Sequence, residues 1–224
     1  MLAALPDAAY VRLLPDLEAV VLESGETLFH PTGRLQTAYF PIDSIVTLSY
    51  ALEEGGAMAK AWPVGCEGMI GISIFLDGPK QSNQADVQIA GKAVSLPAAV
   101  LLKEYQRVGA FQQLLSRYVF ALVTQASQLS VCNHYHTLEQ RLCRFLARLF
   151  DRMSAEQIAL TQEHIGALLG TRRESITQAA SRLQSEGIIA YERGHIRLLS
   201  RAKLDEHSCC CGAIIRQAFE SVFE

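Results

Sequence analysis

Residues 160–200 read LTQEHIGALLGTRRESITQAASRLQSEGIIAYERGHIRLLS. Ile165, Leu168 and Leu169 share one face of a short helix predicted over Gln162 to Leu169. Gly170 follows, and a residue without a Cβ permits the left-handed backbone that stops a helix. Thr171 stands at capping-box spacing before Glu174, so a second helix is expected to start there. Its inner face is Ile176, Ala179, Ala180 and Leu183, and it runs to about Glu186, before Gly187. Ile188 to Tyr191 reads as a strand, Glu192-Arg193-Gly194-His195 as a turn, and Ile196 to Leu199 as the returning strand. The pattern is helix, tight turn, helix and two-stranded wing.

The first turn of the second helix carries Arg172, Arg173, Glu174 and Ser175, away from the face that Ile176 and Leu183 bury. Gln178 and Arg182 follow at helical spacing on the same exposed side. A helix entering the major groove needs these residue types. Arg can donate twice to guanine, Glu accepts from cytosine N4, and Gln or Ser reaches either edge. Arg193, His195 and Arg197 place further donors on the wing, where phosphates would lie. These nine residues are the candidate DNA contacts.

The chain has 224 residues, room for two domains, and half of them are hydrophobic. No apolar run approaches the ~18 residues of a membrane span. The start, MLAALPDAAYVRLL, lacks a basic region ahead of an apolar core, so a cytoplasmic protein without a membrane partner is expected. Net charge is −3, which by itself argues against nucleic acid, but its distribution is uneven. Residues 1–110 hold 7 basic and 12 acidic side chains, whereas residues 111–224 hold 13 basic and 11 acidic. The modest basic excess sits with the helix-turn-helix.

Ahead of it the pattern changes. A short helix is expected over the first 17 residues, with Leu5, Tyr10, Leu13 and Leu14 apolar. From Ala19 to about Pro97, short strands alternate with Gly and Pro turns: Val20–Leu22, Thr27–Phe29, Ala38–Pro41, Ser44–Tyr50, Ala59–Val64, Ala85–Ala90 and Ala93–Leu96. That indicates a small sandwich or barrel, which Trp62, Met69, Ile70 and Val87 could fill. A helical stretch runs from Ala98 to Arg107, and Gly109 breaks it. A long helix from about Ala110 to Tyr135 follows, with Phe111, Leu115, Tyr118, Leu122, Gln125, Leu129 and Cys132 stepping alternately by four and three. Such a stripe is expected as the seam of a parallel helix pair in a dimer, the alternative being a helix packed on its own domain, and Leu114, Ala121 and Val123 could face the β domain instead. A helix from Leu138 to about Met153 buries Leu142, Phe145, Leu146 and Leu149 and turns Arg141, Arg144, Arg148 and Arg152 mostly outward. After the wing, one final helix is expected from Arg201 to Phe223.

A β-roll, a long helix and a C-terminal winged helix, in that order, resemble the Crp/Fnr family of bacterial transcription regulators over nearly the whole chain. The most specific piece is Gly170-Thr171-Arg172-Arg173-Glu174-Ser175-Ile176-Thr177. The resemblance implies an α+β fold: a cyclic-nucleotide-binding-like β-roll (a double-stranded β-helix) over 1–109, a dimerisation helix and hinge over 110–136, and a winged helix-turn-helix over 137–224. It implies a homodimer on a palindromic double-stranded DNA operator, with RNA polymerase and an unidentified small-molecule effector as candidate partners. By matching position the base-reading residues are Arg173, Glu174 and Gln178; the family's usual third reader is Arg, so Gln178 departs from it. The effector pocket would draw on Gly65, Glu67, Gly68, Gln84 and Ser127. Cyclic-nucleotide-binding members hold the phosphate with an Arg after a short loop. Here Gln81-Ser82-Asn83-Gln84-Ala85 contains none, and the nearby Lys80 is a poor substitute for a bidentate guanidinium, so cyclic AMP is not the expected ligand.

Six cysteines in a cytoplasmic chain do not suggest disulfides. Cys132 and Cys143 fall at apolar helix positions and read as buried thiols, while Cys66 sits in a Gly-rich turn. Within His207-Ser208-Cys209-Cys210-Cys211, three consecutive helical residues would diverge by ~100° each, so the run reads as structural or incidental rather than metal-binding or redox-sensing. His134 and His136 diverge likewise, and no metal site or cofactor is assigned. The alternative to a DNA-binding regulator is a small-molecule, redox or metal sensor whose winged helix binds protein. A Ser-centred nucleophile elbow, a phosphate loop and a paired-His zinc motif are all lacking from the sequence, so an enzyme is not expected.

Overall fold

A computed structural model describes residues 1–31, 33–52, 58–76, 83–153 and 155–224. Contacts divide it into two units: 1–121 with 219–224, and 122–218.

The first unit begins with a 3-10 turn, Leu2–Ala4, then α1, Asp7–Leu13, and a second 3-10 turn, Leu14–Asp16. The expected single helix is split by its prolines. Pro6 takes the N-cap position of α1 and Pro15 lies in the second turn, because a residue without an N–H suits only a helix start. Leu5 and Leu13 are buried, but Leu14 is exposed.

All seven expected strands form: β1 Glu18–Leu22, β2 Thr27–Phe29, β3 Thr37–Pro41, β4 Ile45–Ala51, β5 Met58–Val64, β6 Asn83–Ile89 and β7 Gly91–Pro97. They pair antiparallel into two sheets, β1-β7-β3 and β2-β6-β4-β5. Alternation sets the inner face; along β6, Asn83, Ala85 and Val87 point in while Gln84 and Asp86 point outward. Leu22, Val46, Leu48, Val64, Ile70, Ala85, Val87 and Ala93 form one core, with Trp62 packed at its margin. Each larger aliphatic side chain buried there contributes about 1.5–3 kcal/mol. Met69 is buried too, so the side chains expected to fill the roll do pack within its unit. The sequence from Lys80 to Ser82, on which the cyclic AMP expectation partly turns, lies outside the described residues.

β7 leads into α2, Ala98–Tyr105, and then α3, Ala110–Tyr135, which forms where it was expected. Its expected seam does not hold. Phe111, Leu115, Tyr118, Leu122, Gln125 and Cys132 are buried by the chain itself, so that stripe cannot be offered to a second helix. The exposed large hydrophobic residues of α3 are Phe120, Val123, Val131 and, at its end, Tyr135. A stripe stepping by three and four reports that something covers it, not what does. Val123, expected to face the β domain, is one of the exposed set, while Leu114 and Ala121 are buried.

In the second unit, Thr137 starts α4, Leu138–Arg152, with a full capping box: its hydroxyl accepts from Gln140 N–H and the Gln140 side chain accepts from Thr137 N–H. Contrary to expectation, Arg144, Arg148 and Arg152 are buried beside Leu142, Phe145, Leu146 and Leu149, and half-buried Arg141 donates to Leu169 O. Long Arg stems can cover apolar surface like any aliphatic chain. These three charges therefore add little to a DNA-facing surface.

β8, Gln157–Ala159, precedes α5, Gln162–Leu169, and α6, Arg173–Ser185. The wing is β9, Ile189–Glu192, and β10, His195–Leu198. β8 pairs with β10, so the wing sheet has three strands rather than two. The expected terminal helix is also divided, into α7, Arg201–Glu206, and α8, Cys211–Glu220.

Candidate nucleic-acid interface

The helix-turn-helix is built from local constraints. Thr161 caps α5, its hydroxyl accepting from His164 N–H at 3.2 Å. Gly170 ends α5 at φ 62°, and Thr171 N–H donates to Gly166 O at 2.9 Å. A Cβ on Gly166 would sit 2.9 Å from Thr171 O, so this turn closes only over a glycine.

The capping box expected at Thr171 and Glu174 is not formed. Arg172 is the N-cap of α6 and contributes no side-chain cap. The first turn of α6 therefore keeps its outward N–H groups, and the positive end of the helix dipole, for an external acceptor. Ile176, Ala179, Ala180 and Leu183 are buried as expected. Arg172, Arg173, Glu174, Gln178 and Arg182 are exposed, and Ser175 is half-buried. Arg182 is engaged within the fold, 3.2 Å from Glu139 of α4.

At the wing, Glu192 pairs with His195 across a two-residue turn, Arg193-Gly194, with φ of 50° and 82°. Both values are positive, as a type I′ hairpin turn requires. Ile196 points inward while His195 and Arg197 are exposed. Tyr191 braces the sheet by donating its hydroxyl to Leu160 O at 3.0 Å. Arg173 and Arg193 line one cleft of about 360 Å³ with Gln162, Glu163 and Tyr191. One arginine of α6 and one of the wing tip thus border the same cleft.

The effector positions are scattered. Gly65, Glu67 and Gly68 share the turn after β5, which is closed by Gly68 N–H donating to Gly65 O at 3.0 Å. A Cβ on Gly68 would lie 2.9 Å from the Tyr118 ring, and Tyr118 donates its hydroxyl to Met69 O at 3.3 Å. Gln84 lies on β6 and donates to Asp86 at 2.7 Å. Ser127 is an exposed residue of α3 in the second unit. A cleft of about 680 Å³, lined by Met1, Leu5, Tyr10, Phe40, Ile42 and Cys66, was not anticipated. Its one sequence signal is the run of apolar residues ahead of β1.

Cys143 is buried, and burial pushes its thiol up to about 12. The divergence expected for the C-terminal cysteines holds for exposed Cys210 but not between Cys209 and Cys211. Cys209 and Cys210 lie in the break between α7 and α8, where helical geometry does not apply. Cys209 Sγ lies 3.4 Å from Cys132 Sγ, and Cys211 Sγ lies 3.7 Å from Nδ1 of His136.

Residues 140–207 match the Crp-like helix-turn-helix domain family. A transcriptional regulatory protein of Bordetella pertussis, Btr, is 26% identical over 193 residues, covering 81% of this chain and 77% of that protein. The solved structure of FixK2 from Bradyrhizobium japonicum superposes with a TM-score of 0.73 at 18% identity, over 87% of this chain and 98% of its own. A CRP-family transcriptional regulator from Thermus thermophilus gives 0.66 at 21% identity, over 84% and 96%. Btr and the Thermus thermophilus protein are transcription regulators. Among the described residues, no helix is long and apolar enough to cross a membrane. The chain therefore carries a Crp-like helix-turn-helix domain, a DNA-binding module, and has the fold of the Crp/Fnr transcription regulators.

Proposed function

We propose that the chain is a homodimeric, sequence-specific transcription regulator of the cytoplasm, divided into a sensor roll over 1–109, a dimer helix over 110–136 and a DNA-binding domain over 137–224. The observation that carries this reading is the exposed, uncapped first turn of α6, Arg172 to Glu174, above a buried inner face. Arg173, Glu174 and Gln178 read base edges. Arg172, Ser175, Arg182, Arg193, His195 and Arg197 contact phosphate. Two copies associate along the exposed α3 stripe of Phe120, Val123 and Val131. A two-fold dimer reads a palindrome with half-sites about one helical turn apart. RNA polymerase is its partner at the promoter.

Cyclic AMP is not the ligand in this reading. The roll's core is filled by its own side chains, and Tyr118 packs against the Gly68 turn. A different small molecule, bound near Gly65, Glu67, Gly68, Gln84 or Ser127, would act by favouring one arrangement of the DNA-binding helices.

The test is selection of bound fragments from random DNA by purified protein without added ligand, repeated with Arg173→Ala. The expected result is a palindromic motif for the parent chain. The variant loses about 1–3 kcal/mol and relaxes preference at one position of each half-site. Full sequence preference in Arg173→Ala would refute the assignment, and isolated monomers on DNA would refute the dimer.

A further inference from the structure

Four side chains far apart in sequence converge in the second unit. Cys132 and His136 stand one turn apart at the end of α3, and His136 N–H still donates to Cys132 O at 3.1 Å. Cys209 and Cys211 flank the start of α8. Their three Sγ atoms and one imidazole nitrogen all lie within 4.8 Å of one another. Two of these pairs are 3.4 Å and 3.7 Å apart. Around a tetrahedral zinc, with Zn–S of about 2.3 Å and Zn–N of about 2.0 Å, two sulfurs stand roughly 3.8 Å apart and a sulfur and a nitrogen roughly 3.5 Å. The set is therefore within about an ångström of a coordination sphere.

We propose that Cys132, His136, Cys209 and Cys211 bind one zinc ion as a closed Cys3His site, fastening the link between α7 and α8 to the end of α3. The donors select the metal. Three thiolates and an imidazole in a tetrahedron suit zinc, whereas iron–sulfur clusters are held by thiolates spread around several irons. Cys132, Cys209 and Cys211 are buried and His136 is half-buried, so protein atoms fill all four positions and none is left for water. That is the arrangement of a structural rather than a catalytic zinc.

Charge supports the same assignment. Three thiolates around Zn²⁺ leave a net charge of −1, which is costly in a buried place without a counter-ion. Arg144 of α4 is buried, and its Nε has no hydrogen bond among the described residues. Its stem packs on the same segment, where a Cβ on Gly212 would lie 3.4 Å from Arg144 Cγ. One guanidinium neutralises the complex. Binding releases three thiol protons to solvent and changes no oxidation state.

Cys210 supplies an internal control. It is exposed, and its Sγ lies 3.9 Å from Nε2 of His136, the ring nitrogen turned away from Cys211. It belongs to the same run yet stands outside the coordinating set.

The site stands apart from the DNA-binding reading, and its test uses the full chain purified under reducing conditions without chelator. Elemental analysis is expected to find one zinc per chain, released when an organomercurial titrates the thiols. Replacing zinc with Co²⁺ should give thiolate-to-cobalt charge transfer in the near ultraviolet and the intense visible bands of a tetrahedral site. Cys209→Ser, Cys211→Ser and His136→Ala should each lower stoichiometric zinc at least tenfold, while Cys210→Ser keeps it. Since a ligand variant can fail by misfolding, the cobalt spectrum of the unmodified chain is the independent measure. Less than a tenth of a zinc per chain after reconstitution, a cobalt spectrum without charge transfer, or a Cys132–Cys209 disulfide in place of metal would overturn the proposal. So would copper(I) as the resident ion, or zinc lost from Cys210→Ser and retained by Cys211→Ser.

Discussion

Arg182 of α6 and Glu139 of α4 form an ion pair, with Arg182 Nη1 3.2 Å from Glu139 Oε2. A DNA phosphate reaching Arg182 must compete with that carboxylate. Exposed pairs are worth about 0.2–1 kcal/mol, so Glu139→Gln should tighten DNA binding by up to about fivefold. It should also steepen the dependence of log K on log salt by about 0.9, the value for one added phosphate contact. Glu139 also lies in the first turn of α4, where its charge favours the helix by about 0.3–1 kcal/mol. A melting curve separates that loss from the gain in binding. Unchanged affinity and slope would take Arg182 out of the phosphate set.

Arg193 and Gly194 set stability against binding at the wing tip. Arg193 holds φ 50° in a turn that favours Asn at this position, and a left-handed L-residue costs roughly 1–2 kcal/mol. Its ion pair with Glu192, at 3.9 Å between nearly fully exposed side chains, offers little in return. Arg193→Asn is expected to raise the unfolding midpoint while weakening DNA binding and lowering the salt slope by about one. A loss of stability would contradict the turn assignment. Unaltered DNA affinity would show that the wing tip stays off the backbone.

Much of this architecture was legible because local signals agreed with one another. Seven strands were bounded by their own Gly and Pro turns, α3 began after Gly109, and Gly170 separated two apolar-faced helices. What failed depended on tertiary partners. The 3–4 stripe of Phe111, Leu115, Tyr118 and Leu122 had the period of a dimer seam, but the chain itself covers it. Arg144, Arg148 and Arg152 read as surface charge because burial of a guanidinium is decided by distant groups. β8 is a three-residue strand, too short to show any alternation. The Cys3His cluster was hidden by one wrong local assumption. A continuous terminal helix would have splayed Cys209 and Cys211, whereas the break before α8 brings them together.

Cys143 gives a pH prediction. Its folded-state thiol is raised to about 12 by burial, first of all, and then by Glu139, whereas its ordinary value is 9.0. The unfolded chain therefore loses the proton first as pH rises. The stability tied to the neutral thiol is whole below about 9 and is lost progressively between 9 and 12. Denaturant midpoints should fall over that window in the parent chain and fall less in Cys143→Ala, once its lower starting stability is subtracted. The same burial should leave Cys143 unlabelled by a thiol reagent at pH 8 while exposed Cys210 reacts. Rapid labelling of Cys143 in the folded chain would contradict both expectations.

Val108 is the clearest point of backbone strain. It follows α2 at φ 54°, its side chain is exposed, and its N–H donates to Tyr105 O at 3.3 Å. A β-branched residue crowds its own backbone in the left-handed region, and little packing is lost by removing an exposed side chain. Glycine adopts this conformation freely, although it adds about 0.5–1 kcal/mol of unfolded-state entropy. Against a left-handed penalty of roughly 1–2 kcal/mol, Val108→Gly should be stabilising by up to about 1 kcal/mol. That corresponds to an unfolding midpoint higher by about 2–4 °C for a chain of this size. Val108→Asn, which tolerates the same backbone with less entropy to lose, should gain at least as much, and Val108→Ala should gain least. DNA affinity at 25 °C should stay unchanged in all three. A lower midpoint for both Val108→Gly and Val108→Asn would mean that the loop after α2 does not hold this conformation in solution.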